Sequence, residues 1–230
     1  MPLGVTLLDH PKMQFQNTDN RSYRERILNA FPTALKQDVE QVIEVLPLDN
    51  HNVLLSYGQI HNVDNLIYPY YQSLILGNEE LKIPYRIYFN EPNDNKEKIL
   101  TDIQRTILNC IYLRHCDGYL RQRRLESLVD KTEYFVIPFV FQLLGEYVIE
   151  ILDVLDKHIN PSTIDNYTKF ISENPKYWQQ TESRMVSYWN EYYRRPIYPN
   201  CSSPKTAKRK EYIGQIIVDR LKKRTHNRSI

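Results

Sequence analysis

The chain has 230 residues, of which 41% are hydrophobic and 25% are charged, so it suits one folded domain and is not intrinsically disordered. Its 30 basic and 28 acidic residues leave a net charge of +2, which by itself indicates no charged partner. The six glycines are never closer than 19 positions, which excludes dinucleotide-binding and phosphate-binding loops because each needs at least two glycines within about six positions.

The first half of the sequence predicts two short helices and one β-hairpin. The capping-box spacing of Ser22 and Glu25 predicts that the first helix starts there. Apolar residues at helical spacing predict an amphipathic helix over residues 34–46. A glycine–asparagine pair then separates two runs of β-forming residues, which predicts a small hairpin near residues 73–89.

From residue 94 onwards, apolar periodicity predicts helices almost to the C-terminus. These predicted helices cover about residues 100–115, 118–130, 134–159, 162–173, 175–193 and 206–224. In the long apolar segment, Pro138 suits a first helical turn and Gly145 indicates a kink or a break. We therefore expect a mostly α-helical domain over residues 1–193, with the hairpin as an insertion. Residues 194–230 are expected to form a basic linker and an amphipathic helix docked on that domain.

One part of the helical region contains a motif in addition to its periodicity. The segment Asp117–Arg121 has an Asp followed by an aliphatic–Arg pair, and leucines follow it at helical steps. With the segment Ile137–Leu144 after it, residues 100–160 resemble helical repeats of the HEAT type, although Arg124 occupies a position where those repeats commonly have a small residue. The resemblance implies an irregular stack of antiparallel helix pairs, an α-α superhelix, with a scaffold or binding role.

No segment predicts export or a membrane span. Residues 1–13 lack a basic segment followed by an apolar stretch of signal-peptide length, and three cysteines are too few for a disulfide framework. The most apolar stretch, Tyr134–Ile149, is interrupted by Gln142 and Glu146, whereas a spanning helix needs about 20 apolar residues. We therefore expect a cytoplasmic protein with no transmembrane segment.

The sequence also lacks the common catalytic and metal-binding motifs. Gly-x-Ser-x-Gly, His-Glu-x-x-His and Cys-x-x-Cys do not occur. Cys110, His115 and Cys116 are close in sequence but point in different directions around a helix, so they do not bind one metal ion from one helix. We expect no cofactor and no metal site, and we interpret the chain as non-catalytic.

A row of carboxylates is predicted to face arginines of the preceding helix. Glu146, Glu150 and Asp153 share one face of the apolar segment. Their candidate partners are Arg121, Arg123 and Arg124. We interpret these residues as a structural ion-pair ladder or a protein-binding surface. Acid–base catalysis by the carboxylates is the alternative, and it requires that one of them is desolvated.

Aromatic side chains recur on one broad face of residues 178–193. Rings at helical spacing favour a buried core, because each ring buries a large apolar area. The neighbouring Arg194 and Arg195 leave open that the rings stack on exposed bases of a single-stranded nucleic acid. The chain has 18 tyrosines, so some exposed rings are expected, and these suit a protein-binding surface.

The C-terminal segment is strongly basic. Residues 192–230 hold eleven basic and two acidic residues, a net charge of +9, which leaves −7 for residues 1–191. Such a density favours nucleic acid through counterion release. The candidate contacts are Arg194, Arg195, Lys205, Lys208, Arg209, Lys210, Lys222, Lys223 and Arg224. The main alternative is that the last helix docks its isoleucine stripe on the acidic body, and binding to an anionic membrane is a further one.

Three functions therefore remain open, of which an enzyme built around Glu146, Glu150 and the arginines of residues 121–124 is the least favoured. The preferred hypothesis is a non-catalytic helical binding or scaffold protein that acts through protein–protein interaction with an unidentified partner. The alternative is nucleic-acid binding through the basic C-terminal segment.

Overall fold

The computed structural model describes residues 20–194 and 208–226, and helices account for most of them. Ten α-helices and two small antiparallel sheets of two strands each lie in these two ranges, which confirms the mostly α-helical fold class. The superhelical arrangement implied by the HEAT-like motif stays a prediction. No helix in the described ranges is long and apolar enough to cross a lipid bilayer.

The two N-terminal helices are α1 (Asn20–Leu28) and α2 (Lys36–Val45). The prediction that α1 starts at Ser22 is wrong, because the helix already includes Asn20 and Ser22 lies inside it. The predicted position of α2 is confirmed, and one 3₁₀ turn precedes that helix. Valines and an isoleucine of α2 are buried against α4, as its apolar periodicity predicts.

The described residues form two β-hairpins where the sequence predicted one. The predicted hairpin consists of β3 (Tyr71–Leu76) and β4 (Glu79–Pro84), and its loop glycine, Gly77, has a φ of +63°, a conformation that glycine adopts at little cost. The second hairpin pairs β1 (Asn52–Leu54) with β2 (Ile60–Asn62). Its strands have three residues each and mostly exposed side chains, so they show no alternating apolar pattern.

The remaining helices follow in chain order. They are α3 (Asp94–Lys98), α4 (Asp102–Tyr112), α5 (Gly118–Glu126), α6 (Ile137–Phe141), α7 (Ile149–His158), α8 (Ile164–Glu173), α9 (Pro175–Tyr188) and α10 (Ile213–His226). The expected break at Gly145 is confirmed: a 3₁₀ turn ends there, and α7 starts only at Ile149. Asp117 caps the first turn of α5, because its carboxylate accepts hydrogen bonds from the N–H groups of Tyr119 and Leu120.

The two strands of the β3–β4 hairpin continue into extended residues that pair with each other and contact the end of α4. The Tyr68 N–H donates to the Arg86 carbonyl oxygen at 2.9 Å, and the Tyr88 N–H donates to the Leu66 carbonyl oxygen at 2.8 Å. The Ile87 N–H donates to the Arg114 carbonyl oxygen at 3.0 Å. These bonds place the tyrosine-rich residues 66–71 beside residues 84–88, and they place Ile87 beside Arg114, which follows α4.

Candidate functional site

The structure divides the predicted arginine–carboxylate row into two separate networks. In the first, Arg124 is almost fully buried over the face of the Tyr112 ring, 5.1 Å from its centroid. Its partners are Glu91, at 2.8 Å from Nε, and Glu97, at 2.6 Å from Nη1. Arg123 also pairs with Glu91. Sequence reasoning missed both glutamates because they precede α4 and are 27 to 33 positions from Arg124.

The second network contains Glu146, which lies between two arginines. Its Oε2 accepts from Arg121 Nη2 at 3.1 Å, and its Oε1 accepts from Arg86 Nη2 at 3.3 Å. Arg121 also donates from Nη1 to the carbonyl oxygens of His115 and Cys116, at 2.8 and 3.0 Å. The predicted contact between Arg121 and Glu146 is therefore present, and both side chains are buried.

Two further arginines lie beside this pair. Arg114 is fully buried, and it donates from Nε to the Pro84 carbonyl oxygen at 3.0 Å and from Nη2 to the Tyr85 carbonyl oxygen. Burial and the positive charge of Arg86 lower the pKa of Arg114 to about 9. Arg184 packs against Gly145, where a Cβ atom would lie 3.0 Å from its Cδ.

We refer to Arg86, Arg114, Arg121 and Arg184, together with Glu146, as the arginine cluster. Its arginines take part in two ion pairs within the described residues, both with Glu146. Three buried nitrogens, Arg86 Nη1, Arg114 Nη1 and Arg121 Nε, have no hydrogen-bond partner in the part of the chain that the structure describes. The cluster therefore concentrates positive charge beneath the surface, held in place by one carboxylate and by backbone carbonyls.

The other two carboxylates of the predicted row do not join either network. Glu150 and Asp153 lie on the exposed side of α7 and form no ion pair among the residues that the structure describes. Partial burial and the neighbouring Glu150 carboxylate raise the pKa of Asp153. The row thus places one of its three acidic residues beside an arginine.

Exposed tyrosines border the arginine cluster, and we call five of them the tyrosine face. They are Tyr70, Tyr71, Tyr85, Tyr147 and Tyr192, which are 52, 55, 42, 46 and 43% exposed. The partly buried ring of Tyr68 connects two of them, because its centroid lies 5.5 Å from that of Tyr70 and 6.3 Å from that of Tyr85. The guanidinium carbons of Arg86 and Arg114 both lie 5.9 Å from the centroid of the Tyr85 ring.

The C-terminal part of the tyrosine face combines Tyr147, in the loop before α7, with Tyr192, in the π-helical turn that follows α9. The rings of Tyr147 and Tyr192 stack with centroids 5.1 Å apart, and Tyr147 also contacts Tyr188 at 5.7 Å. Burial, the Glu146 carboxylate and the nearby Tyr85 hydroxyl raise the pKa of Tyr188. The aromatic segment 178–193 is therefore partly core and partly surface: Met185 is buried, Trp178 and Trp189 pack against the core, and Tyr192 is exposed.

A cavity of about 220 Å³ opens beside Tyr70 and Tyr71. Besides these two rings, Tyr68 and the cationic side chains of Arg26 and Lys82 line it. We call it the tyrosine pocket. Sequence reasoning could not find it, because its lining comes from α1, β4 and the segment between the two hairpins.

The C-terminal basic residues are distributed around α10. Its apolar stripe, which includes Ile217, Val218 and Leu221, is buried against α7, α8 and α9. Arg220 pairs with Asp156 at 2.8 Å, Lys222 with Glu182 at 2.5 Å and Arg224 with Asp165 at 2.9 Å. Each of these three carboxylates belongs to a different helix of the body.

The other nucleic-acid candidates have varied surroundings. Lys208, Arg209, Lys210 and Lys223 are exposed, and Arg209 donates to the Gln215 side-chain oxygen at 2.7 Å. Arg194 donates to the Asn190 side-chain oxygen at 2.8 Å. Arg195 and Lys205 lie outside the described residues.

No metal-binding group of three or more His, Cys, Asp or Glu side chains occurs within residues 20–194 and 208–226. Cys110 is buried inside α4, and burial raises the pKa of its thiol. The Cys116 sulfur lies 3.9 Å from His115 Nδ1, and this nitrogen also faces the Asp117 N–H at 3.0 Å. His115 therefore contacts both Cys116 and Asp117 within the turn between α4 and α5.

Comparisons of the chain with models of protein families, with curated proteins and with solved structures found no significant match.

Proposed function

We propose that this chain is a non-catalytic binding protein that contacts a protein partner through the tyrosine face. The observation that carries the proposal is the presence of two groups of tyrosine rings beside the arginine cluster, one that includes Tyr70 and Tyr85 and one that includes Tyr147 and Tyr192. Arg86 lies over the Tyr85 ring and pairs with Glu146, the residue before Tyr147, so the cluster links the two groups. Tyrosine and arginine are enriched in protein interfaces and in their energetic hot spots, because each combines a large contact area with a polar group.

The rigidity of this surface supports the proposal. Arg114 donates to two consecutive carbonyl oxygens, those of Pro84 and Tyr85, so the backbone that presents the Tyr85 ring is fixed from below. The Tyr147 carbonyl oxygen accepts a hydrogen bond from the Tyr193 hydroxyl. A surface that is already ordered loses less conformational entropy when a partner binds.

Nucleic-acid binding through the C-terminal segment has less support. Three basic residues of α10 pair with carboxylates of α7, α8 and α9, so part of the segment's charge is offset within the molecule. Counterion release upon nucleic-acid binding requires cations that are available to phosphates. We therefore place this function second.

Photo-crosslinking tests the proposed interface. We would replace Tyr85 with the photoreactive residue p-benzoylphenylalanine and irradiate the full chain in an extract of its source cells. The matched control carries the same residue at Tyr119, which is 73% exposed and forms no part of the tyrosine face. We expect a discrete crosslinked protein at position 85 that is absent at position 119. That product should also disappear when Tyr147 and Tyr192 are both changed to Ser.

Two results would contradict the proposal. One is an identical set of crosslinked proteins at positions 85 and 119. The other is a discrete product at position 85 that persists unchanged after the two serine substitutions.

A further inference from the structure

The tyrosine pocket has the size of a site for a small molecule with one ring. Its volume is about 220 Å³. An apolar cavity of about 150 Å³ accommodates benzene, so this pocket has room for one aromatic ring and a small substituent. It is smaller than the cavities of about 300–1,000 Å³ that bind drug-sized ligands.

The lining of the pocket carries positive charge without a paired carboxylate. Arg26 and Lys82 line it, and no Asp or Glu side chain is among the described residues around it. Neither cation takes part in an ion pair of the described structure. Arg26 donates from Nη1 to the carbonyl oxygens of Ile67 and Tyr68, at 3.3 and 3.4 Å, which orients its guanidinium towards this wall.

Tyrosine and proline rings form most of the apolar part of the lining, together with Ile67. The rings of Tyr68 and Tyr70 have centroids 5.5 Å apart, and the prolines at 69 and 84 contribute further apolar walls. The Lys82 ammonium lies 5.5 Å from the centroid of the Tyr71 ring. An aromatic ligand ring can therefore contact tyrosine rings while its charged group remains near a cation.

From these three features we propose that the tyrosine pocket binds a small aromatic carboxylic acid. The carboxylate of the ligand pairs with Arg26 and Lys82, and its ring packs against Tyr68 and Tyr70. The inference depends on the pocket alone, and it holds whether or not the tyrosine face binds a protein.

Calorimetric titration of the full chain at constant ionic strength tests this site. The probe is benzoate, and the comparison compounds are acetate, benzyl alcohol and benzylammonium. We expect one benzoate site with a Kd on the order of 1 mM, as befits a ligand of this size. Each comparison compound lacks the ring, the charge or the correct sign of charge, so each should bind at least about 5-fold more weakly.

Two variants distinguish binding in the tyrosine pocket from non-specific binding elsewhere on the protein. Lys82→Glu places a carboxylate beside Arg26 and cancels the positive charge of the lining, so it should abolish the preference for benzoate over benzylammonium. The matched control is Lys169→Glu, because Lys169 also lies over a tyrosine ring, 4.3 Å from the centroid of Tyr134, but does not line the pocket. Circular dichroism of both variants would confirm that they are folded.

The inference is overturned if benzoate shows no saturable binding at concentrations well above its expected Kd. It is also overturned if benzyl alcohol binds as tightly as benzoate, or if Lys169→Glu weakens benzoate binding as much as Lys82→Glu. Crosslinking of a protein at Tyr85 has no influence on these outcomes, so this inference and the proposed function can fail independently.

Discussion

Among the residues that the structure describes, a single carboxylate forms ion pairs with the arginines of the arginine cluster. Glu146 accepts hydrogen bonds from Arg86 and Arg121 on its two separate oxygens, and it follows directly after Gly145, against which Arg184 packs. Without this carboxylate, the arginines would repel one another in a buried environment where such repulsion is poorly screened. A structural role for Glu146 is therefore compatible with a binding role for the surface above it.

Substitution of Glu146 should be strongly destabilising. We expect Glu146→Gln to lower the free energy of unfolding by about 3 kcal/mol, because removal of one partner leaves buried charges uncompensated. The measurement is urea-induced unfolding, monitored by tryptophan fluorescence.

The matched control for this substitution is Asp153→Asn, which also replaces a carboxylate near α7 by its amide but at an exposed position. We expect it to change the stability by less than about 0.5 kcal/mol. Equal effects of the two substitutions would show that the cluster does not need the charge of Glu146.

At the scale of elements, α10 joins three helices of the body. Its apolar stripe is buried against α7, α8 and α9, and its ion pairs reach one carboxylate on α7, one in the first turn of α8 and one on α9. Exposed or half-exposed ion pairs each contribute little, typically up to about 1 kcal/mol. Burial of the stripe therefore contributes most to the docking of α10, and the ion pairs mainly orient it.

This division predicts unequal effects of two substitutions within α10. We expect Leu221→Ala, at a fully buried position, to lower the free energy of unfolding by about 2–5 kcal/mol through the cavity that it leaves. Ile216→Ala removes a similar side chain from the same helix at a position that is 40% exposed, and it should cost less than about 1 kcal/mol. Chemical denaturation of both variants compares them, and similar losses would contradict the docked arrangement.

At the scale of the whole molecule, two buried histidines make stability dependent on pH. Burial is the main cause that lowers the pKa of His115 and of His158 from 6.5 to about 4. As the pH falls below about 6.5, the unfolded chain takes up a proton on each imidazole, whereas the folded chain does so only near pH 4. The unfolded state therefore binds more protons in this window, and the free energy of unfolding decreases as the pH falls.

We expect the free energy of unfolding to drop by several kcal/mol between pH 7 and pH 4.5, with a slope of up to about 1.4 kcal/mol per pH unit for each histidine. Denaturant titrations at a series of pH values measure it. A His158→Gln variant should have a shallower slope between pH 6.5 and 4.5 than the unsubstituted chain. An unchanged slope would contradict the burial of a neutral imidazole at this position.

The sequence predicted the helices much better than the site. Helices such as α2, α5 and α8 could be placed because their apolar residues recur every three or four positions, and Gly145 marked the break before α7. The β1–β2 hairpin was missed because its strands are too short for an alternating pattern.

Most of the candidate site depends on contacts that no local pattern reveals. Arg121 and Glu146 could be paired from helical faces, but Arg86 and Arg114 join them only because residues 84–88 run beside the end of α4. The tyrosine pocket likewise combines Arg26 with Lys82, which are 56 positions apart in the chain.

The docking of α10 also has a consequence for how the chain is synthesised. The ribosome releases α7, α8 and α9 before α10, because 24 residues separate Tyr188, the last residue of α9, from Ile213, the first residue of α10. During this interval, the apolar positions that later contact Leu221 face solvent. An uncovered surface of this kind invites aggregation of the nascent chain or binding by a chaperone. The C-terminal helix thus completes the protection of a surface that the body cannot cover by itself.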